Sequence, residues 1–154
     1  MENDVVSVER VIAAPAAAIF AIVADAGRHA EIDGSGTVIK TKPGAAQKLS
    51  LGSNFGMAMK MGVPYSMSNT VVEFEQDRLI AWQTVFSGFF GRFIGGRIWR
   101  YNFEPVEGGT KVTESWDISQ DKQGFFLKRG KLPTGTAEAM SKTLAHLATM
   151  TETA

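Results

Sequence analysis

The sequence predicts an α+β fold in which a highly curved antiparallel sheet carries one long amphipathic helix across its apolar face. Three observations predict it. A β-branched run, Val5–Ile12, opens the chain. Six further extended runs, near 37–42, 54–61, 66–75, 78–86, 97–105 and 110–118, are separated by Gly, Pro or Asp turns. Towards the end, Ala137, Met140, Leu144, Leu147 and Ala148 recur at three- and four-residue spacing, which makes one buried helical stripe.

The elements follow in order. Val5–Ile12 alternates in part and reads as a first strand. Pro15 suits a helix start, where its preset φ helps and its missing N–H costs nothing, so 16–24 reads as a short helix with Ile19, Phe20 and Val23 clustered. Residues 28–32 make one more helical turn, closed by Asp33-Gly34-Ser35-Gly36. That turn lacks the Lys-Ser/Thr pair of a phosphate loop and reads as a helix exit. The clearest hairpin joins Trp99-Arg100-Tyr101-Asn102-Phe103-Glu104 to Lys111-Val112-Thr113-Glu114-Ser115-Trp116-Asp117 through Glu107-Gly108-Gly109. Residues 119–133 read as irregular, with a small basic cluster of Lys122, Lys128, Arg129 and Lys131. The last helix is expected over 136–150, with His146 on the side away from Leu144 and in solvent.

Composition narrows the chemistry. The chain has 154 residues, 44% of them hydrophobic, enough for one domain over 1–154 with its own core. It has no Cys, which excludes a disulfide framework, a thiolate nucleophile and sulfur-ligated zinc. His29 and His146 are its two histidines, so no metal site and no cofactor are expected. Sixteen Lys+Arg balance sixteen Asp+Glu, which leaves no basic field to draw in nucleic acid. The longest apolar run, 13–24, is too short to span a bilayer and follows Glu2, Asp4 and Glu9 rather than positive charge. A cytoplasmic protein without stable membrane insertion, monomer or homodimer, is the expectation.

Side chains alternate along a strand, so Trp99, Tyr101 and Phe103 share one face of the hairpin. A two-residue turn at either Glu107-Gly108 or Gly108-Gly109 sets them beside Val112, Glu114 and Trp116. Glu114 is the exception on that aromatic face. A carboxylate among apolar groups is costly unless bonded, paired or hydrated. Either Glu114 projects into a ligand cavity, where burial would tune it for acid/base work, or it bonds a buried hydroxyl such as Tyr101, or it reaches solvent at the sheet edge. Arg100, one residue away, is expected to face outward. Phe55, Met57, Met59 and Met61 alternate with Gly56, Ala58 and Lys60 in a stripe that suits either an adaptable cavity wall or plain core packing. Trp82 adds aromatic surface whose facing the turn at Gln76-Asp77 does not fix. In 86–94, Phe89, Phe90 and Phe93 lie among glycines, as a lip over a cavity entrance, a patch for a partner or membrane, or a hairpin tucked into the core.

Several segments carry a family resemblance. They are Val8-Glu9-Arg10-Val11-Ile12-Ala13-Ala14-Pro15, Arg28-His29-Ala30-Glu31-Ile32-Asp33-Gly34-Ser35-Gly36-Thr37-Val38, Asn69-Thr70-Val71-Val72-Glu73-Phe74, Trp99-Arg100-Tyr101 and Gly108-Gly109-Thr110-Lys111-Val112-Thr113-Glu114. With the element order they make the chain resemble the START-like or Bet v 1-like (SRPBCC) superfamily, and within it bacterial proteins of the polyketide cyclase/dehydrase type. The resemblance implies a helix-grip fold: a curved seven-stranded antiparallel sheet wrapped around the long C-terminal helix, with two short helices after the first strand. It implies an elongated apolar cavity for a hydrophobic small molecule such as a lipid, sterol or polyketide, held by a carrier or sensor. The expected walls are Phe55, Met57, Met59, Met61, Trp82, Trp99, Tyr101, Phe103, Val112, Glu114, Trp116, Met140 and Leu144, with Phe89, Phe90 and Phe93 as the lip. A polyketide cyclase or dehydratase using Glu114 as acid/base and Tyr101 as its partner is the enzymatic alternative. A protein-interaction module using 86–94 is the other.

Overall fold

The computed structural model describes residues 3–35, 38–41, 48–61 and 63–152; for 38–41, 57–61 and 63–64 it describes the backbone alone. β1 (Val5–Ile12) leads into α1 (Ala16–Val23), a 3₁₀ turn at Ala26–Arg28, and α2 (His29–Ile32). Pro15 stands at the N-cap of α1, and its carbonyl accepts from the Ala18 and Ile19 N–H groups at 3.1 and 3.3 Å. Asp25 caps the 3₁₀ turn by accepting from the Gly27 N–H at 2.9 Å.

Six more strands follow: β2 (Val38–Thr41), β3 (Asn54–Met61), β4 (Val63–Glu75), β5 (Leu79–Phe86), β6 (Gly95–Val106) and β7 (Gly109–Asp117). They form one antiparallel sheet in the order β1-β7-β6-β5-β4-β3-β2, so the chain meanders from β2 to β7 and the first strand closes on the last. Register shifts at Val71/Glu73 and Thr84/Val85 add residues to single strands, which bends and twists a sheet locally. The hairpin turn is Glu107-Gly108, since Val106 pairs with Gly109. Gly108 takes φ +89° there, a value that suits glycine.

α3 (Gly124–Leu127) forms within the stretch expected to be irregular, and α4 runs over Leu132–Glu152. α4 begins four residues before the expected 136, with Pro133 in its first turn, where no intrahelical N–H is needed. No helix among the described residues is long and apolar enough to cross a membrane.

The solid part of the core lies where α1 enters the sheet. Phe20 meets Phe74 and Phe103 edge-on at 5.6 and 5.3 Å, and Ile12, Ile19, Val23, Val112, Leu144 and Leu147 fill the space around them. Burying a side chain of this kind contributes about 1.5–3 kcal/mol. Trp116, Ile118 and Met140 form a second, smaller cluster nearer the start of α4. Between the solid end and that cluster the sheet and helix stand apart.

Candidate functional site

The gap is a cavity of about 440 Å³. Strand pairing builds one wall. Trp99 pairs with Trp116 and Tyr101 with Glu114 across β6 and β7, and Trp82 on β5 lies opposite Trp99. These side chains share the concave face, and all five line the cavity. Met67, Asn69 and Thr84 continue the wall along β4 and β5, while Met140 and Thr143 of α4 close the opposite side.

The segment after α2 forms the rim. Gly34 lies so close to α4 that an added Cβ would collide with the Ala139 carbonyl, and its N–H donates to Thr143 Oγ1 at 2.9 Å. Only glycine allows that approach.

Glu114 is 3% exposed, and its Oε1 accepts from the Tyr101 hydroxyl at 2.8 Å. Oε2 has no partner. Burial, with the negative charge of Asp33 adding to it, pushes the carboxyl pKa up to about 8, against the Tyr101 bond that favours the charged form. That favours the neutral acid at neutral pH. Tyr101 is itself driven up by burial and by Glu114.

A second unsatisfied atom belongs to His29, which is 4% exposed and also lines the cavity. Its ring stacks on Trp82 at 4.8 Å and meets Phe55 edge-on at 5.3 Å. Nε2 lies 2.7 Å from the Val23 carbonyl oxygen. A carbonyl only accepts, so Nε2 carries the hydrogen and Nδ1 keeps a lone pair with no partner among the described residues. Burial holds the imidazole pKa down at about 4, outweighing the Val23 carbonyl and Asp25, so the ring is neutral. By contrast, the buried Asn69 and Thr84 satisfy each other: the Thr84 hydroxyl donates to Asn69 Oδ1 at 2.6 Å, and Asn69 Nδ2 donates to the Phe55 carbonyl at 3.3 Å.

Not every residue expected on the wall reaches it. Phe55, Phe103, Val112 and Leu144 are buried in the main core and do not line the cavity. Phe103 and Val112 form the next same-face pair beyond Tyr101 and Glu114, where Phe20 fills the space; Leu144 lies one turn beyond Met140 towards the same solid end. The side chains of Met57, Met59 and Met61 lie outside the described residues. Phe89, Phe90 and Phe93 do not line the cavity either; they are exposed in and beside a 3₁₀ turn at Phe89–Arg92. Arg100 faces away, forked onto Glu73 at 2.8 and 2.7 Å with Asp117 at 3.4 Å. His146 is exposed, and its Nδ1 lies 3.0 Å from the Ile32 carbonyl. His29 escaped the sequence reading because α2 is too short to have a period. The Asn69–Thr84 pair follows from strand register, which a sequence with a bulged β4 does not yield. Among the described residues, no group of three or more His, Asp or Glu side chains is arranged to hold a metal ion.

Fold and cavity together define a helix-grip protein with an apolar chamber and a few polar atoms in its wall. Residues 4–152 match the model of the family described as polyketide cyclase / dehydrase and lipid transport, and the chain belongs to that family. It is 40% identical over 142 residues to the uncharacterized protein Rv0088 of Mycobacterium tuberculosis, covering 88% of this chain and 59% of that one. The chain thus spans well under two thirds of that relative's length. In fold it is similar to protein CV1439 from Chromobacterium violaceum, with TM-score 0.74, 16% identity and 97% of each chain covered. It is also similar to DynU16 of the dynemicin biosynthetic locus, with TM-score 0.66, 15% identity, and 95% of this chain and 46% of that one covered.

Proposed function

We propose that the protein binds a largely apolar small molecule, of lipid, sterol or polyketide type, in this cavity as a carrier or sensor. The observation that carries the reading is the unpartnered Oε2 of Glu114 in an aromatic wall. An unsatisfied buried polar atom costs about 1–3 kcal/mol, a cost that a bound ligand's acceptor would remove. A ligand with a carbonyl or hydroxyl oxygen facing Glu114 and a hydroxyl hydrogen facing His29 Nδ1 would satisfy both atoms. Apolar bulk would stack against Trp82, Trp99 and Trp116.

The test is direct. Titration with cis-parinaric acid, a fluorescent fatty acid, should quench the cavity tryptophans and give saturable energy transfer. Met140→Trp, which fills the chamber from α4, should abolish uptake while the far-ultraviolet circular dichroism stays native. Saturable transfer that survives Met140→Trp would place the ligand elsewhere and end the cavity reading.

A second reading is favoured by the neutral acid and neutral imidazole in one chamber: dehydration of a β-hydroxy carbonyl during polyketide cyclisation. His29 Nδ1 would take the α-proton and Glu114 Oε2 would give its proton to the departing hydroxyl. The C–O pair leaves with water as the C=C bond forms, and a proton passes back from His29 to Glu114. Glu114→Gln should then stop water loss, read by mass, while ligand uptake persists.

A further inference from the structure

Outside the cavity, aromatic side chains stand in solvent at two places. Phe89, Phe90 and Phe93 are 65%, 61% and 56% exposed, and Phe125 and Phe126 of α3 are 58% and 70% exposed. Within each group the rings pack edge-to-face on one another, Phe89 on Phe90 and Phe93 at 5.9 and 5.6 Å, and Phe125 on Phe126 at 5.6 Å. The two groups are stitched together. Lys122 Nζ donates to the Arg92 carbonyl, Gln123 Nε2 donates to the Phe93 carbonyl at 2.7 Å, and the Gly95 N–H donates to Gln123 Oε1 at 2.9 Å. The two exposed phenylalanine groups are thereby carried on segments that are bonded to each other.

The charge around them is one-sided, although the whole chain is neutral. Segments 87–97 and 119–132 carry Arg92, Arg97, Lys122, Lys128, Arg129 and Lys131 against a single acid, Asp121. Asp121 is buried and paired with Arg97 at 3.0 Å, so those two cancel. Lys128 lies 3.4 Å from Asp4, a weak surface pair. The Arg129 guanidinium lies 3.9 Å over the Phe125 ring, cation beside aromatic. The patch adjoins the chamber. Leu132, the first residue of α4 and 45% exposed, lines the cavity, as does Arg97. Tyr65, also on the wall, stacks on Phe86 at 5.7 Å, just before the 3₁₀ turn.

Protruding aromatic rings flanked by cations match an apolar layer beneath an anionic surface. A folded protein partner would have to be both acidic and recessed to offer the same complement. We propose that this patch docks the protein on an anionic lipid bilayer, with the phenylalanine rings at the headgroup–acyl boundary and the cations against the headgroups, so that the cavity rim faces the membrane. Docking does not depend on what the cavity holds.

The cysteine-free chain allows a clean test. Phe90→Cys and Phe126→Cys, each labelled with an environment-sensitive nitrobenzoxadiazole dye, should brighten and shift to the blue with vesicles of equimolar phosphatidylcholine and phosphatidylglycerol. Val72→Cys, seven residues along β4 from Tyr65 and so roughly 23 Å further along the strand, should not respond. Lys131→Ala should weaken vesicle partition by roughly fivefold. Phe89→Ser with Phe125→Ser should weaken it by roughly tenfold or more. Cis-parinaric acid uptake, measured without vesicles on the same variants, should stay at the parent level, which separates failure of docking from failure of the cavity reading. Silent dyes at both patch positions would overturn the proposal. So would dye responses that grow with protein concentration without lipid, because they would assign the patch to a second copy of the chain.

Discussion

At the scale of single residues, Glu114, Tyr101 and His29 set the chemistry of the chamber. The Tyr101 bond is the one local influence that favours ionised Glu114; burial and Asp33 oppose it. Tyr101→Phe should therefore move the Glu114 midpoint further above about 8, as read by carbon-detected NMR of labelled glutamate. A midpoint near 4.5 in the unaltered protein would mean that the carboxylate is hydrated and the chamber wet. The position of Glu114 on an aromatic face was legible because strand alternation and a short turn leave little choice of register. His29 was not legible. Its role depends on the Val23 carbonyl, which fixes its tautomer, and on Trp82, which a distant strand brings beneath its ring.

Among the elements, α4 shows how far a periodic pattern reaches. Its apolar stripe identifies the helix and its buried side, but not which members of the stripe meet solid core and which meet a hollow. Phe20 of α1 decides that by filling the space at Phe103, and the same insertion takes Phe103 and Val112 out of the cavity wall. Leu144→Ala should cost about 2–5 kcal/mol, the range for truncation in a packed site. Met140→Ala, which enlarges a void that already exists, should cost less and widen the range of bound ligands. Urea unfolding of the two variants gives the order; a larger loss for Met140→Ala would mean that α4 seals the chamber more tightly than the described geometry does. The strand runs were legible from their turns. The bulges in β4 and along the β5–β6 pairing were not, because an extra residue in one strand leaves no mark in composition.

For the molecule as a whole, the buried Glu114 and His29 make stability depend on pH in opposite senses. Glu114 is raised from 4.5 to about 8, so the folded state holds its proton more tightly; stability from this group is complete below 4.5 and is lost as pH rises towards 8. His29 is lowered from 6.5 to about 4, so its contribution is complete above 6.5 and is lost as pH falls towards 4. Between 4.5 and 6.5 the slopes oppose each other, and above 6.5 Glu114 acts alone. Empty protein should show a plateau in weak acid and then lose up to about 1.4 kcal/mol per pH unit between neutrality and pH 8, followed by urea unfolding across pH. Glu114→Gln should flatten the alkaline decline. A decline that persists in that variant would assign it to other groups.

Gly34 gives the chamber two unlike boundaries. On the side of Met140 the limit is a flexible thioether with several rotamers, which yields to a ligand's shape at small cost. At the 33–35 segment the limit is main chain against main chain, and a backbone contact has no rotamers to offer. One boundary adapts and the other does not. Ligands that differ in length towards the helix should therefore be tolerated as a series, whereas those that differ in width at the rim should be accepted or refused outright.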